Sequence, residues 1–154
     1  MTDEAIYVDG TELILETAAS SASITDGSFR ECDSDDRQST DNPGYPTGWF
    51  EFDTAAGGFS AAPTAGAILN LYEQTINSDG ADAPDPSATF LDGYLGTFTI
   101  APSDTQQKLR IGPLSLNASG GKYWLEWVDG GAGTASIDAG WELRLIPTTL
   151  GPAA

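Results

Sequence analysis

The sequence predicts an all-β protein: a single antiparallel β-sandwich, jelly-roll-like, of about seven or eight strands over residues 1–154. Three observations predict it. Apolar and polar residues alternate with a period of two in run after run, as in strands buried on one face. The runs are separated by clusters of turn residues, drawn from 18 glycines, 9 prolines and many Asp, Asn and Ser. No stretch carries the apolar stripe of an amphipathic helix, and no apolar run approaches the length of a membrane span.

Along the chain, "VDGTE" places an Asp-Gly turn between two short strands and predicts a hairpin. In "TELILET", Leu13 and Leu15 oppose Glu12, Ile14 and Glu16. In "GWFEFDT", Phe50 and Phe52 share one face, and Trp49, Glu51 and Asp53 the other. Leu69 and Leu71 oppose Asn70 and Tyr72, and Phe98 aligns with Ile100. "KLRIGPLSL" pairs Leu109 with Ile111 and then changes phase at Gly112-Pro113, which predicts a bulge or corner. Tyr123, Leu125 and Trp127 oppose Trp124, Glu126 and Val128, and Trp141, Leu143 and Leu145 oppose Glu142, Arg144 and Ile146. The segment "DGSFRECDSDDRQSTDNPGYPTG", residues 26–48, is acidic and holds little that would enter a core. It reads as a long loop that orders against a neighbouring subunit.

Composition narrows the function. Twenty-three acids against six bases give a net charge of −17, which repels nucleic acid. Such an acid-rich surface, with Lys108 and Lys122 as its only lysines, also suits concentrated salt. The first ten residues, "MTDEAIYVDG", are acidic where a secretion signal is basic and apolar. Cys32 is the only cysteine, so no intrachain disulfide is expected, and its acidic neighbours work against a reactive thiolate.

Few residues point to catalysis. The chain has no histidine, which removes the usual base for a serine or cysteine nucleophile. One cysteine without histidine makes a poor zinc site, and no phosphate-cradling loop motif occurs. "TINSDGADAPDP" resembles a calcium loop only until its first and twelfth positions are read, Thr75 and Pro86, where acids belong. "DSDD" at residues 33–36 reads as solvated, and the sequon at Asn117 as a turn. Glu126 and Glu142 are the carboxylate pair to test for glycoside hydrolysis, but each alternates with core residues. The expectation is therefore a protein that is not an enzyme and uses no cofactor or metal. Trp49 and Trp124 share their faces with carboxylates and are the tryptophans expected at the surface. With Tyr45, Arg30 and Arg37 of the acidic segment, they are the candidate interface anchors, because aromatics and arginines carry most interface energy.

From Ala67 to Pro147 the chain also resembles small tailed-phage virion proteins that decorate, or cement, the capsid. The pattern reads "LNLYEQTINSDGADAPDPS", "YLGTFTI", "QQKLRIGPLSL", "GGKYWLEWV" and "GWELRLIP", with more tryptophan after Gly121 than the pattern usually has. The resemblance implies a virion protein on the capsid exterior that binds the major capsid protein between capsomers. It further implies a homo-oligomer, often a trimer among such cement proteins, with no nucleic-acid or membrane partner. The alternative reading is a carbohydrate- or receptor-binding β-sandwich module of a phage tail.

Overall fold

A computed structural model describes residues 5–38, 41, 45–76, 82–130 and 134–152. Among these there is no helix, and the strands form two antiparallel sheets that face each other as a β-sandwich. Nine strands are present: β1 (Ala5–Asp9), β2 (Leu13–Glu16), β3 (Phe29–Gln38), β4 (Thr47–Asp53), β5 (Ile68–Thr75), β6 (Tyr94–Thr99), β7 (Lys108–Ser115), β8 (Gly120–Val128) and β9 (Glu142–Pro152). The five-stranded sheet runs β1-β9-β4-β7, with β2 also on β9, and the four-stranded sheet runs β3-β8-β5-β6. The chain pairs as a nested series, β2 with β9, β3 with β8, β4 with β7 and β5 with β6. Contacts of β4 with β9 and of β5 with β8 then complete each sheet.

The period-two alternation becomes the core. Phe50 and Phe52 of β4, Leu143 and Leu145 of β9 and Leu15 of β2 point inward from one sheet. They meet Cys32, Leu69, Leu71, Phe98, Tyr123, Leu125 and Trp127 of the other, all fully buried. Rings interlock across the gap: Phe50 with Tyr123 at 5.3 Å and Phe52 with Phe98 at 5.8 Å between centroids. Each buried aromatic removes a large apolar area from water, and tilted pairs add a favourable quadrupole term. Trp141 closes one end against Phe52, and its Nε1 donates to the Ala22 carbonyl at 2.8 Å.

The phase change at Gly112-Pro113 is a β-bulge. Phe50 pairs with Ile111 and Gly48 with Leu114, so two residues of β7 oppose Trp49 alone. Gly112 adopts φ +128°, and an added Cβ there would lie 2.8 Å from the Gly48 carbonyl oxygen, so only glycine fits.

Three expectations change. Nine strands form among the described residues where about seven or eight were expected, because β1 and β2 share one edge of β9 and part of the acidic segment is itself a strand. "VDGTE" does not join a hairpin: β1 and β2 follow one another along the same edge of β9, which is long enough to serve both. The acidic segment is largely not a loop, since Phe29–Gln38 forms a ten-residue edge strand against β8. Its polar composition suits an edge, where charge discourages further strand addition. Between Cys32 and Arg37 the register slips, with four residues of β3 opposite one of β8. Residues 39–40 and 42–44 of the segment lie outside the described residues, as do 77–81 of the calcium-like stretch.

Candidate functional site

Among the described residues, the chemistry-bearing side chains fall into three groups: one inside the sandwich and one on the outer face of each sheet.

The inner group is built on Glu73. In β5 it continues the inward phase of Leu69 and Leu71, so its carboxylate is almost fully buried. Arg37 reaches it from β3: Nη2 donates to Glu73 Oε2 at 3.3 Å and also to the Asn117 carbonyl, while Nε donates to Tyr123 Oη at 2.9 Å. Tyr123 Oη donates to Glu73 Oε2 at 2.6 Å, and the Asn117 N–H donates to Glu73 Oε1 at 2.9 Å. Gly121 makes room for this carboxylate, since a Cβ there would lie 2.5 Å from Glu73 Cγ. Arg37, expected as an interface anchor, is only 5% exposed and is engaged inside the fold. Burial pushes the Tyr123 hydroxyl well above its ordinary value, with Glu73 adding to the shift. Burial acts against the Arg37 charge, but Tyr123 and Glu73 outweigh it and raise the arginine. The network ties the edge strand β3 to β8, β5 and the β7–β8 turn.

The second group lies on the outer face of the four-stranded sheet. Trp124 is half-buried there, its Nε1 donating to Gln74 Oε1 at 2.8 Å. Beside it, Phe29, Tyr72 and Tyr94 form a run of rings with both centroid spacings at 5.8 Å, ending at Tyr94, which is 54% exposed. Glu126 Oε1 accepts from Asn70 Nδ2 at 2.9 Å and from Tyr72 Oη at 3.1 Å. Burial, then the Glu126 charge, push the Tyr72 phenol up to about 12. Lys122 is held by Asp82 at 3.0 Å and Glu31 at 3.8 Å, and its hydrogen bond to Asp82 is the main cause of its raised pKa.

These two tyrosines predict an alkaline transition. Unfolding returns both phenols to an ordinary value near 10. Their contribution is complete below that pH, and it is lost as pH rises through the higher folded values, because the unfolded chain sheds the protons first. Phenolate absorbance should show at least two of the five tyrosines, Tyr72 and Tyr123, un-ionised at about pH 11 until the chain unfolds, and Tyr123→Phe should lower that number by one. Full ionisation of all five in the folded protein at that pH would contradict the burial described.

The third group covers the outer face of the five-stranded sheet. Trp49 stacks under Arg110, whose Cζ lies 4.4 Å from the ring centroid, and meets Tyr7 edge-on at 6.5 Å. Next to them lies a groove of about 440 Å³ lined by Glu51, Asp53, Lys108, Arg110, Glu142 and Arg144. Its charges pair loosely: Lys108 with Asp53 at 3.6 Å and Arg110 with Glu51 at 3.7 Å. Arg144 bonds Glu142 at 2.8 Å and Glu12 at 2.9 Å, and the bond to Glu142 leads the upward shift of its pKa.

Trp49 and Trp124 therefore occupy opposite outer faces and cannot form one platform. Arg30 pairs with Leu125 on the inward row, with its Nε shut off from solvent. Tyr45 is half-buried just before β4. Glu126 and Glu142 stand on different sheets, both facing out, so they form no catalytic pair. No cluster of metal-ligating side chains occurs among the described residues. The Glu73 network was missed from sequence, although the inward phase of Glu73 was itself a signal that a buried acid needed a cation. Comparison with known proteins gives no match to a protein family, a curated protein or a solved structure.

Proposed function

We propose that this β-sandwich, wound as a jelly roll, is an assembly module, and within that class a virion protein that decorates and cements a phage capsid between capsomers. The observation that carries the reading is the placement of Trp49 and Trp124 on opposite outer faces, each half-exposed among polar neighbours. A component that spans neighbours needs two contact surfaces, whereas a single-ligand binder gathers its rings on one. The nested strand pairing and the resemblance over Ala67–Pro147 support the same reading. The four-stranded face, with Trp124 and Tyr94, is the surface assigned to the capsid protein.

One observation favours a second reading, a glycan-binding module of a tail: the run Phe29, Tyr72, Tyr94 beside the polar row Asn70, Glu126 and Thr97. Rings of this kind stack on sugar faces, and amide and carboxylate groups bond hydroxyls. One experiment separates the two. Purified empty capsids of the same virion are mixed with the isolated chain and sedimented, and the chain is run in parallel through gels containing soluble polysaccharide. The proposal expects saturable co-sedimentation, weakened about tenfold or more by Trp124→Ala, which is a loss of about 1.4 kcal/mol. Retardation by polysaccharide that Trp124→Ala abolishes, without capsid binding, would replace it with the second reading.

A further inference from the structure

We infer that the outer face of the five-stranded sheet is a self-interface, on which a second copy of this chain packs face to face. The first ground is charge. Three of the six cations line the groove, and they are matched there by three carboxylates, so the groove is neutral and the net −17 resides elsewhere on the chain. Two copies of so acidic a protein repel one another across most orientations. Apposing these nearly balanced faces is the approach that brings the least like charge together.

The second ground is self-complementarity. One cross-strand row alternates Arg144, Glu51 and Arg110, and the next runs Glu142, Asp53 and Lys108, with its two carboxylates adjacent. With a two-fold axis in the plane of the interface, along the strands between β9 and β4, Arg144 of each copy lies over Glu51 of the other, the reciprocal pairing an isologous contact requires. The same face ends in an apolar patch, with Leu150 paired to Tyr7 and Ile146 to Trp49. Leu150 is 63% exposed, and three of the six exposed large apolar residues, Tyr7, Ile14 and Leu150, lie on this face.

The third ground is area. Four strand columns about 4.8 Å apart, followed over nine residues at about 3.3 Å each, give roughly 600 Å² of plane per copy. Two such faces reach about 1,200 Å², the lower edge of specific interfaces. The contact is therefore a weak, reversible dimer, and it leaves the Trp124 face open for another partner.

Sedimentation equilibrium of the full chain tests this. The mean mass is expected to rise toward twice the monomer mass between roughly 1 and 100 µM, the weak range suited to an interface this small. Association is expected to strengthen as salt rises from about 0.01 to 1 M, because the screening length falls from about 30 Å to about 3 Å while the interface itself is nearly neutral. Trp49→Ala and Leu150→Glu should each weaken it about tenfold or more, and Leu91→Glu, at an equally exposed apolar site off this face, should leave it unchanged. Leu150→Glu replaces an exposed side chain, so it keeps the test valid if Trp49→Ala unfolds. A monomer at every concentration and salt, an assembly larger than two, or equal loss from Leu91→Glu would overturn the inference.

Discussion

Arg37→Met is expected to lower the stability of the protein by about 3–5 kcal/mol, the cost of leaving a buried ionic partner uncompensated. The reason is positional. Glu73 sits in the core phase of β5, and Arg37 is the cation within ion-pair distance of its carboxylate. Methionine fills most of the arginine's volume, so the loss reports charge and hydrogen bonding more than a cavity. Three acceptors, Tyr123 Oη, Glu73 Oε2 and the Asn117 carbonyl, lose a donor at once. At about 2–4 °C per kcal/mol for a chain of this size, the melting temperature should fall by roughly 10 °C. Arg37→Met combined with Glu73→Leu should recover part of the loss, because an apolar pair needs no compensation in that site. If Arg37→Met melts within a degree or two of the parent, the network does not hold β3 as described.

The second large effect is expected at Trp127, one residue beyond an outward-facing carboxylate and three beyond Trp124. Trp127→Ala should cost about 3–5 kcal/mol, as large-to-small core changes do. The ring is fully buried against Phe59 at 5.6 Å, and its Nε1 donates to the Ala135 carbonyl at 2.7 Å. Removing it opens a cavity and strands that carbonyl. Trp124→Ala, on the opposite face of the same strand, should cost about 1 kcal/mol, for one hydrogen bond to Gln74 and partial burial. Chemical denaturation of the two variants checks the contrast, and similar losses from both would mean that β8 does not present alternate faces to core and solvent.

The sandwich was legible where the alternation is simple. β4, the Tyr123–Trp127 part of β8 and the Leu143–Leu145 part of β9 carry aromatic or aliphatic residues at every second position, and burial follows that spacing. β3 was not legible, because "FRECDSDDRQ" has few strand formers and only Cys32 as a fully apolar inward residue. Its pairing is set by β8 and by the Arg37–Glu73 contact across 36 positions, which local propensity does not register. The hairpin expected at "VDGTE" failed for a related reason: turn chemistry specifies a reversal, but the length of β9 offered both short strands a better partner. At the candidate site, the outward phases of Trp49 and Trp124 were readable, but not that they lie on opposite sheets, which depends on the order in which the strands assemble. The charge-balanced groove was likewise invisible, since Arg144 lies 34 residues or more beyond Lys108 and Arg110 in the chain, and β4, between β7 and β9, brings the three together.

Hydroxyl-radical footprinting of the four tryptophans, free and in the presence of empty capsids, tests most directly whether the two outer faces grip other protein subunits. Trp127 and Trp141 should stay unreactive throughout. Trp49 should become protected as the free protein is concentrated, and Trp124 should react freely in solution and become protected on the capsid. Oxidation of Trp124 at the same rate with and without capsids, or of Trp127 and Trp141 as readily as the outward pair, would contradict the account.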